Sequence, residues 1–525
     1  MTVFPQPNFL KTKAVGVRDI FVNDIIDHKK ITSDIQAFLD MCHGHFIDGK
    51  WVDGVTTKRI EIINPATASV ISHVQSGGLS EVDMAVSAAR RAFDSGVWSK
   101  KVPVERARIL FRLADLIEIH ASQISQLEAL DIGVSREMMQ NIGVKLAADQ
   151  LRYYAGWITK INGETITNSR PRDAGREFLT YTEKEPVGVV GQITPWNFPF
   201  AMAVQKIAPA IAAGCTVVLK PAEDAPLSTM YLAGLIAKTG LPPGVFNLVN
   251  GYGRKAGAAI ASHVGIDKVS FTGSTDVGKE IIRAASGNLK RTTLELGGKS
   301  PVILLRDANL AEAIPAAARA IFFLSGQNCM AGSRLLVHED IYEQVIDGLK
   351  AKAEAMTIGA GMEATYDIGP LISKKQLTRV LAYIDIGVSE GARLITGGRP
   401  AEGKPGYFVE PTIFADCDPG MRIVKEEIFG PVLTIQKFNT TDLDEIAALA
   451  NDNIFGLSAS VWTTDLARGH KLARRIKSGQ VGINVHAAVD PATPFGGYKQ
   501  SGWGREFGRE GLEPYLETKA ITAYL

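Results

Sequence analysis

From Val187 onward, short apolar runs alternate with amphipathic segments, and this alternation restricts the possible folds more than any other feature of the chain. Val187–Ile193, Thr216–Leu219, Val245–Val249 and Lys268–Phe271 read as strands, and Pro199–Ala213, Leu227–Lys238 and Asp276–Ala285 as helices. Strands that are apolar on both faces and separated by helices predict βαβ units, hence a parallel sheet covered on both sides. In such doubly wound α/β folds, ligands sit at the carboxyl ends of the strands. A second α/β block is expected from Pro301 to about Phe495, opening with a strand at Pro301–Leu305 and a helix at Asn309–Leu324; Gly297-Gly298 would be the hinge between the two.

Before this region, His45–Val52 reads as a strand with a turn at Asp48-Gly49, followed by a long helical stretch. Ser80 is the expected N-cap of a helix carrying Val82, Ala85, Val86, Ala89 and Phe93 on one face, and Pro103 opens a second helix. Phe178–Thr182 and Ala520–Leu525 alternate apolar and polar residues. Both are expected to be edge strands that pair with a partner subunit.

Composition excludes several classes. The 57 basic and 56 acidic side chains leave a formal charge of +1, so no basic excess points to nucleic acid or an anionic membrane. Charges interrupt residues 1–30, so no signal peptide is read there, and no apolar run is long enough to span a bilayer. The four cysteines lie far apart and form no CxxC pair, as in a reducing compartment; the expected location is the cytoplasm. Cys42, His43 and His45 lack a second ligand pair at zinc spacing, so no metal is expected.

Three segments carry candidate chemistry. In Gly326-Gln327-Asn328-Cys329-Met330-Ala331-Gly332, glycines leave room for a substrate to approach a nucleophilic sulfur; a buried structural cysteine is the alternative. Glu295, at the end of an apolar strand before two glycines, suits a general base of raised pKa; pairing with an arginine is its alternative. Asn197, held between Pro195 and Pro199, is either a helix N-cap or an amide aimed at an oxyanion. Phe271 to Gly278 follows a strand and opens a helix, so its backbone N–H groups and the helix N-terminus could receive a diphosphate. Lys220 and Glu223 follow another strand, where a ribose could be held, and Glu223 would repel a 2′-phosphate, favouring NAD over NADP. Gly251-Tyr252-Gly253 begins like GxGxxG, but the next glycine, Gly257, comes one position late, so this reads as a turn.

In this order, PWNFP at 195–199, KPAE at 220–223, FTGST at 271–275, LELGGKSP at 294–301, GQNCMAG at 326–332, EEIFGP at 426–431 and PFGGYKQSGWGRE at 494–506 resemble the NAD-dependent aldehyde dehydrogenase superfamily from about Phe46 to Leu525. Residues 36–50 and 153–165 bring the chain nearest to the bacterial phenylacetaldehyde dehydrogenases. The resemblance implies an α/β fold with a Rossmann-like cofactor domain (41–166 and 186–297), an α/β catalytic domain (298–497) and a small oligomerisation element (167–185 and 498–525), after a lead-in at 1–40. It implies that Cys329 is the nucleophile, Glu295 the general base and Asn197 the oxyanion donor, together with the Cys329 N–H. NAD would lie along Ile193, Thr194, Pro195, Trp196, Lys220, Glu223, Gly253, Gly257, Phe271, Gly273, Ser274, Gly278, Glu295, Leu296, Glu427 and Phe429. Phe198, Met202, Phe323, Met330, His486, Val489 and Phe495 would line the aldehyde tunnel, with ordinary core packing as their alternative. Many relatives carry a second cysteine beside the nucleophile, whereas Asn328 and Met330 flank Cys329 here. The expected product is a carboxylic acid formed by a homodimer or homotetramer. The rival readings are a broad aliphatic aldehyde dehydrogenase, a CoA-acylating enzyme and an inactive binding member.

Overall fold

A computed structural model describes residues 31–170, 177–363 and 366–525. Residues 1–30 of the lead-in, and 171–176 of the expected oligomerisation element, lie outside the described residues.

The first large sheet has eight strands. Val189–Ile193, Thr216–Lys220, Phe246–Leu248, Lys268–Thr272 and Arg291–Glu295 form its parallel centre. In space these five run Arg291–Glu295, Lys268–Thr272, Val189–Ile193, Thr216–Lys220, Phe246–Leu248. The chain therefore winds outward in both directions from Val189–Ile193. The crevice between the carboxyl ends of Val189–Ile193 and Lys268–Thr272 is the switch point where such sheets bind ligands. The His45–Ile47 and Lys50–Val52 hairpin extends one edge, turning at Asp48 and Gly49, and Gly502–Trp503 closes the other.

Every residue of the helix Pro199–Ala213 is buried, which accounts for its almost unbroken apolar sequence. Pro199 opens it with a pre-set φ, and Gly214 ends it at φ 101°. The second large sheet has seven strands, six of them parallel: Pro301–Leu304, Arg334–His338, Thr412–Ala415, Val432–Phe438, Ser458–Trp462 and Gln480–Ile483.

Three expectations need correction. Ser80 does not cap its helix. Leu79–Ser95 begins two residues earlier, and the Glu81 carboxylate accepts the Gly78 N–H at 2.7 Å and the Val55 N–H at 2.7 Å. The stretch after Val52 is not wholly helical, because Arg59–Asn64 and Ser69–Gln75 form an antiparallel hairpin. The two supposed edge strands pair with each other: Phe178–Pro186 and Leu516–Tyr524 run antiparallel from Phe178 opposite Tyr524 to Pro186 opposite Leu516. Among the described residues Leu516–Tyr524 is an edge strand of this small sheet, while Thr165–Ile166 covers the other side of Phe178–Pro186. Among the described residues no helix is long and apolar enough to cross a membrane.

Candidate active site

The helix Leu310–Phe322 ends just before the cysteine loop, not at Leu324 as the apolar run implied. Leu324 and Ser325 both adopt φ 54°, a left-handed conformation that costs an L-residue energy and persists only where the surroundings enforce it. The Gln327 side chain supplies that enforcement: its Oε1 accepts the Ile372 N–H at 2.9 Å, and its Nε2 donates to the Leu324 and Pro370 carbonyls at 3.3 Å each. Cys329 follows, half-buried, and the Met330 N–H donates back to Asn328 Oδ1 at 3.1 Å. Burial raises the Cys329 thiol well above its ordinary range, and the Glu427 and Glu295 carboxylates raise it further. The protonated thiol is thereby favoured over the thiolate.

Asn197 is buried and caps no helix. Its Nδ2 donates to the Gln327 carbonyl at 3.0 Å, which ties the carboxamide to the backbone two residues before Cys329. Glu295 ends its strand with both carboxylate oxygens buried and without a hydrogen-bond partner among the described residues. Burial raises its pKa far above the carboxylate range, and Glu506 adds to this, opposed by Lys206 and Arg505. Among the described residues no arginine pairs with it; Arg505 donates instead to the Gly497 and Gly504 carbonyls. Glu506 is held by Lys206 and Gln205 in the buried layer below.

The residues expected along the cofactor gather at the switch point. Lys220 Nζ meets Glu223 at 2.7 Å, and Glu223 accepts the Gly253 N–H at 3.0 Å. A Cβ on Gly257 would lie 3.7 Å from Lys220 Cδ and 3.9 Å from Ile193. Gly253–Gly257 is a wide helical turn, not the simple turn read from its spacing. Ser274 is the N-cap of Thr275–Ala285, its hydroxyl 3.4 Å from the Val277 N–H, and Gly278 lies against Leu296. Burial pushes the Glu427 carboxyl up to about 7, and the Gly298 N–H donates to it at 2.9 Å. Trp196 meets Phe429 edge to face at 5.3 Å.

A cavity of about 350 Å³ ends on Cys329 and Asn328. Phe198, Met202, Phe323, Met330, His486, Val489 and Phe495 all line it, and Phe198 stacks on Phe323 at 6.2 Å. His486 also braces the cysteine loop, with Nε2 2.8 Å from the Met330 carbonyl and Nδ1 3.0 Å from Ser460 Oγ.

The sequence profile of the aldehyde dehydrogenase family matches residues 51–521. The chain belongs to the aldehyde dehydrogenase family. It is 48% identical to an aldehyde dehydrogenase of Enchytraeus buchholzi over 478 residues, covering 91% of this chain and 94% of that one. It is 45% identical to the human mitochondrial aldehyde dehydrogenase over 483 residues, 92% of each chain. The NAD+ complex of an aldehyde dehydrogenase from Bacillus cereus superposes with a TM-score of 0.92 at 48% identity, covering 94% of this chain and 99% of that one.

Part of this aldehyde dehydrogenase's cavity wall carried no sequence signal. Ile142, Gly143 and Leu146 line it from Met139–Val144, where one wide helical turn breaks the 3.6-residue period, and from the helix that follows. Phe507 lines it from a position of φ 57° just after the last motif, and Arg319 from the exposed side of its helix.

Proposed function

We propose that this chain oxidises aldehydes to carboxylic acids with NAD, and that aryl aldehydes of about the size of phenylacetaldehyde are its preferred substrates. The observation that carries this reading is an apolar, aromatic-walled cavity ending on a thiol that is flanked by the Asn197 amide and two buried carboxylates. Its volume and lining suit a small apolar ligand.

A dinucleotide fits the switch-point residues. Lys220 and Glu223 are paired where a ribose would be gripped, and the open floor at Gly257 is space that a side chain would fill. Glu427 and Phe429 would hold the nicotinamide end, and Glu223 disfavours a 2′-phosphate. When bound, NAD supplies the acceptor for the hydride that leaves the substrate carbon.

The chain's own residues perform the remaining steps. Cys329 Sγ gives its proton to solvent and, as the thiolate, attacks the aldehyde carbon. The new oxyanion is stabilised by the Cys329 N–H and by Asn197, a kind of donor worth roughly 10²–10³ in rate. After oxidation the substrate is a thioester on Cys329. Glu295, with no partner holding its oxygens, takes a proton from the water that cleaves it. The free cysteines favour a cytoplasmic setting, and the edge position of Leu516–Tyr524 in its sheet favours a homodimer or homotetramer.

The test is kcat/KM with NAD for phenylacetaldehyde, benzaldehyde, hexanal and betaine aldehyde, with identification of the product. A free acid and a preference for the aryl substrates support the proposal. Equal rates with hexanal favour the broad aliphatic reading, and an acyl-CoA product would refute hydrolysis.

A further inference from the structure

The cavity that ends on Cys329 is apolar along most of its wall. Among the described residues that line it, Arg319 is the one permanent charge. It projects from Leu310–Phe322, whose Ala313, Ala317 and Ile321 are buried and fix the helix in place. Arg319 is exposed while Asn328 is buried and Cys329 half-buried, so the guanidinium stands at the solvent end of the cavity and the sulfur at its inner end. No hydrogen bond or ion pair engages that guanidinium among the described residues, and no carboxylate shares the wall. His486 offers no alternative anion site, since both of its ring nitrogens are occupied by Met330 and Ser460. A cation beside an apolar wall attracts an anion more strongly than one in open water. The planar guanidinium fork also matches a carboxylate through two parallel hydrogen bonds.

We propose that Arg319 is a specificity residue that selects aldehydes carrying a carboxylate at the end remote from the carbonyl: carboxylated aryl aldehydes and ω-oxo acids. The proposal rests on aldehyde oxidation at Cys329, not on the aryl preference, and adds a carboxylate at the remote end of the substrate. The carbonyl would reach Cys329 through the apolar stretch while the carboxylate stays at the mouth on Arg319, so neither charge is buried unpaired.

The test compares kcat/KM for 4-carboxybenzaldehyde against 4-methylbenzaldehyde, and for 6-oxohexanoate against hexanal, in wild type, R319Q and R319K at low and high salt. Wild type should favour the carboxylated member of each pair. R319Q should cut that preference by about 10–100-fold, the range of a charge-assisted hydrogen bond, through a higher KM for the carboxylated aldehyde. R319K should keep part of the preference, and added salt should shrink it in wild type. A ratio that R319Q leaves unchanged, or a wild-type preference for the neutral members, overturns the proposal. NADH formation from none of the aldehydes by wild type would instead overturn the oxidation reading and take this one with it.

Discussion

A Cβ on Gly298 would stand 2.2 Å from the Cys329 carbonyl oxygen. The obstacle is backbone, so the clash cannot be relieved by turning a side chain; the cysteine loop itself would have to move. Gly298 also donates its N–H to Glu427, which couples the Cys329 loop to the Glu427 carboxylate. Gly298→Ala should lower kcat by about 10–100-fold, the scale on which displacing a reacting group by an ångström acts. Steady-state kinetics check this, with a circular-dichroism spectrum matching wild type to show that the fold survives.

Cys329→Ala should remove oxidation by at least roughly three orders of magnitude, the scale of losing a covalent nucleophile. Fluorescence titration should find NAD affinity nearly unchanged, since Lys220 and Glu223 are held by each other and by the Gly253 N–H, not by Cys329. Mass spectrometry of wild type quenched during turnover should find the acyl mass on Cys329. The same mass on Cys42, Cys215 or Cys417 would refute the assignment.

In the proposed mechanism Glu295 must be ionised to take a proton from water, and burial places its ionisation well above the usual carboxylate range. Turnover in wild type should therefore rise with pH through that raised value. Glu295→Gln should lose this rising limb and slow steady-state turnover by about 10²–10⁴-fold, the usual worth of a general base. The first burst of NADH should survive, because hydride leaves before the water step. Stopped-flow traces across pH separate the two phases.

Glu128 supports the site from below: its Oε1 accepts the Phe200 N–H at 2.9 Å at the start of the helix that follows Asn197. Burial pushes its carboxyl up to about 7, above an unfolded value near ~4.3. The folded state then binds the proton more tightly than the unfolded one. Its contribution is fully present below pH ~4.3 and is lost as pH rises toward 7. Glu128→Gln keeps an oxygen for Phe200 and cannot ionise, so its Tm should fall less between pH 5 and pH 7.5. Thermal unfolding of both proteins at the two pH values measures the difference.

The parallel strands were legible because burial on both faces makes them uniformly apolar, and the helices between them because Pro199 and Gly214 punctuate their ends. Glu295 was legible for a related reason: a carboxylate directly after Leu294 in a buried strand has few ways to be solvated. The hairpin from Arg59 to Gln75 escaped notice because its alternation is weak and its turn, at Ala68 with φ 56°, carries no glycine. Ser80 was mistaken for a cap because Glu81, one residue on, does the capping through a side chain whose partners lie at Gly78 and Val55.

Local chemistry written along the chain was enough to mark the strands, the helix ends, the nucleophile candidate and the family resemblance, since each depends on neighbours a few residues away. Folding alone decided that Phe178–Pro186 pairs with Leu516–Tyr524, more than three hundred residues later, and that Asn197 reaches Gln327 rather than its own helix. It also put Arg319 at the mouth of the Cys329 cavity. Pairing and burial between distant segments are set by how whole sheets pack, and no local pattern of residue types encodes that.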